Sequence, residues 1–157
     1  IKNSSKIFEF GSSPGGWTQV ILNVNGNAKI TCIDILDMKI KTDNVKFLKE
    51  DFLKYNFNIN NEKFDLVLSD IAPNTTGHKS TDHLKISQLI YEIIDRLEIL
   101  LKNRGSFIFK IWKGHEEKEI IKKLKTIFDR VNYFKPKSSR QESSEIFIIA
   151  RDYKFDE

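Results

Sequence analysis

Short β-strand-like runs alternate with helical stretches along this chain, and this alternation constrains the fold more than any other feature. We predict seven strands, which are KIFEF (6–10), KITCID (29–34), VKFLKE (45–50), FDLVLSD (64–70), SFIFKIW (106–112), VNYF (131–134) and EIFIIA (145–150). Strands that alternate with helices are typical of a mostly parallel sheet with helices packed on it. The sequence therefore predicts an α/β fold.

Two of the intervening helices follow from the spacing of their apolar residues. Apolar side chains recur with a 3.6-residue period from Ile86 to Leu101, and Gly105 falls just beyond the predicted end of that helix. A second, shorter helix places apolar residues from Ile120 to Phe128 on its inner face. Its charged residues are Lys122, Lys123 and Lys125. We interpret these lysines as a solvated face rather than as a dedicated RNA contact.

Composition limits the classes of protein to consider. A chain of 157 residues with 39% hydrophobic residues predicts a single domain over 1–157. The net charge of +4 mildly favours an anionic partner. The one cysteine, Cys32, can form no internal disulfide, which favours a reducing, intracellular setting. No apolar run approaches the ~20 residues of a membrane span. We expect a monomer that does not insert into a membrane.

The segment FEFGSSPGGW (8–17) predicts a strand that enters a glycine-rich turn and then a helix. Its glycines, which let the backbone turn tightly and approach a ligand, are Gly11, Gly15 and Gly16. Asp34 ends the next strand, where a carboxylate can accept hydrogen bonds from a ribose. Ser13 replaces the second glycine of a dinucleotide fingerprint and Pro14 follows it, which spoils the cradle for a pyrophosphate. S-adenosylmethionine is therefore favoured over a dinucleotide.

Three ionisable residues lie at the edges of apolar runs. Asp70 closes FDLVL, Lys110 stands within SFIFKIW, and Glu145 begins EIFIIA. Asp51 follows another strand and suits a polar contact to an adenine, but taken alone it is better explained as an ordinary strand-end acid. If Lys110 faces a cleft, burial would lower its pKa and neighbouring carboxylates would raise it. The sequence leaves open which effect dominates, so deprotonation of a ribose 2′-hydroxyl by Lys110 is a hypothesis.

Four segments together resemble the FtsJ/RrmJ family of ribose 2′-O-methyltransferases in order and spacing. They are FEFGSSPGGW, SDIAPNTTG, SFIFKIW and KPKSSRQESSEIFIIA, and the resemblance spans nearly the whole chain. Within the family, SSRQESSEIF and KIWKG are most similar to the large-subunit ribosomal RNA uridine branch, including its mitochondrial members. The resemblance implies a Rossmann-like class I methyltransferase fold, with a seven-stranded sheet whose last strand is antiparallel and helices on both faces.

The resemblance also implies roles for individual residues. Asp70, Lys110 and Glu145 match the last three members of the family's catalytic Lys-Asp-Lys-Glu tetrad. The cofactor positions implied by the turn and the alignment are Glu9, Gly11, Pro14, Gly15, Gly16, Trp17, Asp34, Asp51 and Asp70. Glu9 stands where the family more often has Asp. The tetrad's first lysine lies upstream of the glycine turn, and because the chain begins at Ile1 rather than Met we expect a missing N-terminal segment rather than a degenerate enzyme.

The RNA-binding surface is less specified. Lys135, Lys137 and Arg140 are the candidates for phosphate contacts beside Glu145. The three histidines show no metal-ligand spacing, and we expect no metal. The predicted substrate is ribosomal RNA or the large ribosomal subunit. The alternatives are a tRNA or mRNA-cap ribose methyltransferase and a non-catalytic, RNA-binding ribosome-assembly factor. The compartment stays open among mitochondrion or another organelle, nucleus and cytoplasm.

Overall fold

The computed structural model describes residues 1–59, 61–72, 76–137 and 144–154, and these residues form a seven-stranded sheet. The strands are β1 (Lys6–Phe10), β2 (Lys29–Asp34), β3 (Val45–Lys49), β4 (Phe64–Ser69), β5 (Leu101–Trp112), β6 (Phe128–Phe134) and β7 (Glu145–Tyr153). Their order across the sheet is β3-β2-β1-β4-β5-β7-β6. Strand β7 is antiparallel to both β5 and β6, and the other pairs are parallel. The predicted mostly parallel sheet with an antiparallel last strand is confirmed.

Helices cover both faces of the sheet. They are α1 (Gly16–Val24), α2 (Lys79–Leu100) and α3 (His115–Ile127), and a short 3₁₀ turn spans Phe57–Ile59. On one face α2 and α3 pack against the phenylalanines of β5, and on the other α1 packs through Ile21 against Ile7 and Leu66. The two apolar layers follow from the alternation of side chains along each strand. No described helix is long and apolar enough to cross a bilayer.

The junction between α2 and β5 differs from the prediction. Helix α2 ends at Leu100 and β5 begins at once at Leu101, before the predicted strand start at Ser106, so Gly105 lies beyond the helix as predicted but inside β5. Arg104 has a φ of 65°, and the register between β4 and β5 shifts after the pair Phe64–Leu101. Leu101 is fully buried in the sheet core. Its spacing fits the helical period, but packing in the sheet makes it the first residue of β5.

The carboxyl ends of β1, β2 and β4 meet at one edge of the sheet. The Gly11 N–H donates to the Ile33 carbonyl at 3.0 Å, and the Asp70 N–H donates to the Phe10 carbonyl at 3.2 Å. The strand order reverses between β1 and β4, and ligands of open α/β sheets bind in the crevice at such a point. The fold therefore directs attention to this edge.

Candidate active site

Lys110 lies between two carboxylates at this edge of the sheet. Its Nζ is 2.5 Å from Asp70 Oδ1 and 3.6 Å from Glu145 Oε1. The Lys110 ammonium and the Asp70 carboxylate therefore form a close ion pair. Trp112 pairs with Glu145 in the antiparallel ladder, so Glu145 is close to Lys110, two residues back along β5. The structure thus brings together the three residues predicted from separate strands.

The two effects on the pKa of Lys110 can be compared in the structure. Burial alone would lower the pKa, since the side chain is only 21% exposed. The contact with Asp70, its negative charge and that of Glu145 together outweigh burial, and the pKa of Lys110 lies above its usual value. Lys110 is therefore protonated at neutral pH, with its positive charge shared between two carboxylates.

A cleft of about 450 Å³ opens beside Asp70. Gly11, Asp34 and Asp51 also line it. The Asp34 carboxylate accepts the Ser13 N–H at 2.9 Å and so fastens the glycine turn to the end of β2. Each carboxylate oxygen has further lone pairs, so Asp34 can accept additional hydrogen bonds from a ligand. The acidic lining favours a positively charged occupant.

Gly11 allows the close approach of two chain segments at the cleft. Its φ is +70°, and a β-carbon there would lie 2.8 Å from the Ile71 Cα. That atom belongs to the backbone and cannot move aside as a flexible side chain could. Any other residue at position 11 would therefore push the segment after β4 away from the glycine turn.

Besides Ser13 and Glu50, eight apolar residues complete the cleft lining, and they were not predicted from the sequence. They are Ile33, Ile35, Leu36, Phe52, Leu53, Ile71, Ala72 and Leu89. Ile35 and Leu36 are 63% and 62% exposed, which is unusual for adjacent large apolar side chains. In the sequence, this part of the lining is indicated by an apolar pair that directly follows the strand-end Asp34. Apolar contacts beside several carboxylates fit a flat, cationic nucleoside, and S-adenosylmethionine has this chemistry.

Glu9 does not line the cleft but lies beneath the glycine turn. Glu9 is only 1% exposed, and Thr18 Oγ1 donates a hydrogen bond to Glu9 Oε2 at 2.5 Å. Burial raises the pKa of Glu9 to about 7. The hydrogen bond from Thr18 lowers this pKa, whereas the negative charges of Asp70 and Asp34 raise it further. In the structure Glu9 ties β1 to α1.

The remaining predicted cofactor residues also lie outside the cleft lining. Gly15 caps α1, Gly16 is its first residue, and the Pro14 carbonyl accepts the Lys39 N–H at 3.2 Å. Trp17 lies in a separate apolar cavity of about 390 Å³, with its ring 5.6 Å from that of Phe147. These residues shape the turn and the start of α1, and their contact with a cofactor stays a prediction.

Two of the predicted RNA contacts are visible at the end of β6. Lys135 and Lys137 are both exposed. Arg140 lies outside the described residues. Lys135 lines the same groove as Ile146, which directly follows Glu145, and the RNA contacts themselves stay predictions.

Comparison with known proteins gives a consistent result. The profile of the FtsJ-like methyltransferase family matches residues 1–153. The ribosomal RNA large subunit methyltransferase E of Rickettsia akari is 40% identical over 156 residues, covering 92% of this chain and 68% of the relative. The protein of the same name from Francisella tularensis subsp. holarctica is 37% identical over 161 residues, covering 98% of this chain and 78% of the relative.

Solved structures agree with the fold. A crystal structure of a ribosomal RNA methyltransferase from Plasmodium falciparum superposes with a TM-score of 0.81 at 29% identity, covering 98% of this chain and 88% of that one. Human methyltransferase-like protein 13, solved with SAH, superposes with a TM-score of 0.69 at 12% identity, covering 93% and 71%. The second likeness concerns the fold alone. The fold is that of class I methyltransferases.

Proposed function

Since this chain belongs to the FtsJ-like methyltransferase family, we propose that it methylates the 2′-hydroxyl of a ribose, in a uridine of large-subunit ribosomal RNA. S-adenosylmethionine is the methyl donor. The observation that carries the proposal is the contact of Lys110 with Asp70 and Glu145 beside an acidic cleft. The two relatives named for the large ribosomal subunit support the RNA class.

Different cleft residues would bind different parts of the cofactor. When bound, S-adenosylmethionine supplies an electrophilic methyl group on a positively charged sulfur. Asp34 would accept hydrogen bonds from the ribose hydroxyls, Ile35 and Leu36 would pack against the adenine, and Asp51 would contact its polar edge. Asp70 lies next to Lys110 and holds the reactive end of the cleft negative. Positioning of this kind accounts for much of the rate when the donor is already reactive.

Lys110 acts as the general base for the ribose hydroxyl in this proposal. Its raised pKa means that it must lose a proton before it can accept one. Methyl transfer is therefore expected to become faster as the pH rises from neutral toward the pKa of Lys110. Asp70 and Glu145 orient the amine and stabilise the cation that forms when Lys110 takes the hydroxyl proton. Deprotonated Lys110 is a minor species at neutral pH, which limits the rate there.

The test is methyl transfer from labelled S-adenosylmethionine to large-subunit RNA and to large-subunit particles, with Lys110→Ala and Lys110→Arg beside the wild type. A methyl group on the 2′-oxygen leaves an alkali-resistant dinucleotide, which identifies the modified atom and nucleotide. We expect both variants to bind the cofactor and to lose transfer, because arginine keeps the charge but cannot act as a base. Full activity in Lys110→Arg would contradict the base role.

The alternatives give different results in the same assay. Transfer to tRNA or capped mRNA, and none to ribosomal RNA, would favour a methyltransferase with another substrate. Cofactor binding without transfer to any RNA would favour a non-catalytic assembly factor. We also propose that the protein acts as a monomer in a reducing compartment, which suits the fully buried thiol of Cys32.

A further inference from the structure

A second, basic groove lies beside the candidate active site, which we call the lysine groove. Its volume is about 680 Å³, and it is lined by Lys113, Lys118, Tyr133 and Lys135, with Glu117 and Ile146. The groove lies between the start of α3, the end of β6 and the start of β7. Only Lys135 among these residues was expected to contact RNA.

The lysine groove is structurally continuous with the catalytic residues. The Lys113 N–H donates to the Ser144 carbonyl at 2.8 Å, and Ser144 directly precedes Glu145. Trp112, which pairs with Glu145, directly precedes Lys113. A polymer whose reacting sugar lies at Lys110 therefore has the groove next to it, within the reach of adjoining nucleotides.

Positive charge in the groove is available for a ligand. Lys113 and Lys118 are exposed, and neither forms an ion pair with any other residue that the structure describes. The acid in the groove, Glu117, is only 4% exposed, and its Oε2 accepts the Gly114 N–H at 3.1 Å. Its carboxylate also bonds the Tyr133 hydroxyl. Glu117 is thus held by the protein and is poorly placed to neutralise the two lysines.

Tyr133 adds an exposed aromatic surface to the groove. The residue is 53% exposed, while its hydroxyl is held by Glu117. A ring that is fixed at one end and open on its face is suited to stacking on a base. A cationic track combined with an exposed aromatic ring is the usual arrangement for binding single-stranded nucleic acid.

We propose that the lysine groove binds the RNA strand adjoining the methylated nucleotide, with Lys113 and Lys118 on phosphates and Tyr133 stacked on a base. The inference rests on the proposed function and extends it from the reacting sugar to the flanking nucleotides. Phosphate contacts supply affinity and position without reading sequence. The groove therefore positions the substrate, and Tyr133 can stack on any of the four bases.

The test compares two double variants with the same change in charge. Lys113→Ala/Lys118→Ala removes the groove lysines, and Lys122→Ala/Lys125→Ala removes two exposed α3 lysines that are not among the groove's lining residues. Binding of a fluorescein-labelled oligouridylate is followed by anisotropy over a series of KCl concentrations. Loss of two phosphate contacts should weaken binding by about 20-fold at ~0.1 M salt and reduce the slope of log Kd against log salt by about 1.4. The control variant should retain near wild-type binding.

Tyr133 is tested separately by Tyr133→Leu and Tyr133→Phe. We expect the leucine variant to weaken oligouridylate binding by about tenfold and the phenylalanine variant to retain most of it, because only phenylalanine keeps the stacking face. Thermal unfolding and S-adenosylmethionine binding check that each variant is folded. All the altered side chains are exposed and none contacts Lys110 in the structure.

The outcomes separate the groove from the proposed function. If both double variants weaken oligouridylate binding equally, the attraction is general electrostatics, and the proposed role of the groove is overturned. If the groove variant methylates ribosomal RNA at the wild-type rate and with the wild-type KM, the proposed role of the groove is overturned. The proposed function then still stands. Selective weakening in the groove variant, with wild-type protein that transfers no methyl group, would support the groove and overturn the function.

Discussion

Replacing Glu9 by glutamine should stabilise the protein at alkaline pH much more than in mild acid. Glu9 is 1% exposed, and its partner Thr18 is fully buried. The folded protein raises the pKa of Glu9 from 4.5 to about 7, chiefly through burial. Above neutral pH the wild-type protein must therefore hold a buried negative charge, whereas glutamine is neutral at every pH.

The magnitude follows from the shift in pKa. A group that binds its proton more tightly in the folded state contributes stability that is complete below the unfolded pKa and is lost as the pH rises through the folded pKa. A change from 4.5 to about 7, at about 1.4 kcal/mol per unit, corresponds to about 3 kcal/mol in total. About 2.5 kcal/mol of this should be lost between about pH 5 and about pH 8.

The assay is urea unfolding of wild type and Glu9→Gln at both pH values, followed by circular dichroism. The stability difference between the two proteins should grow by about 2.5 kcal/mol toward the higher pH. Any constant cost of placing the glutamine amide cancels, since it is present at both pH values. Glu119→Gln, at an exposed position, is the control and should show no such growth. A Glu9→Gln difference that does not change with pH would refute the buried, raised-pKa carboxyl.

Three further predictions test the site. Gly11→Ala should cost about 2 kcal/mol or more in unfolding free energy and weaken cofactor binding, because the new β-carbon meets the Ile71 backbone. Gly16→Ala, where nothing lies within 4 Å of the added atom, should be tolerated, and equal losses would contradict the steric reason. Asp34→Asn should weaken S-adenosylmethionine binding by about tenfold in calorimetry, while Asp37→Asn on the surface should not; equal affinities would remove Asp34 from the cofactor site. The Cys32 thiol, fully buried and with its pKa raised to about 12, should react with a thiol reagent only on unfolding, and rapid labelling of the native protein would contradict its burial.

Much of the fold could be predicted because its determinants are local. The short, mainly apolar runs of β1, β2 and β4 indicate strands wherever those strands lie in space, and their observed bounds agree with the predictions to within a residue. The boundary at Leu101 could not be found in this way. An apolar residue that satisfies the helical period also suits a strand, and only contact with Phe64 decides between them.

From the sequence one can place Asp70 at the carboxyl edge, since parallel strands bring their ends to one side of a sheet. Lys110 lies two residues before the end of β5, and Glu145 reaches the same edge because β7 is antiparallel to β5 and begins there. The tertiary structure alone decided the pKa of Lys110, because burial and two charges oppose each other and their balance depends on distances between residues remote in sequence. It also decided that Glu9 bonds Thr18 and that Trp17 lines a separate cavity, while Ile35 and Leu36 line the cleft. Strand periodicity gives the face of a side chain, but only packing against other elements determines what that face contacts.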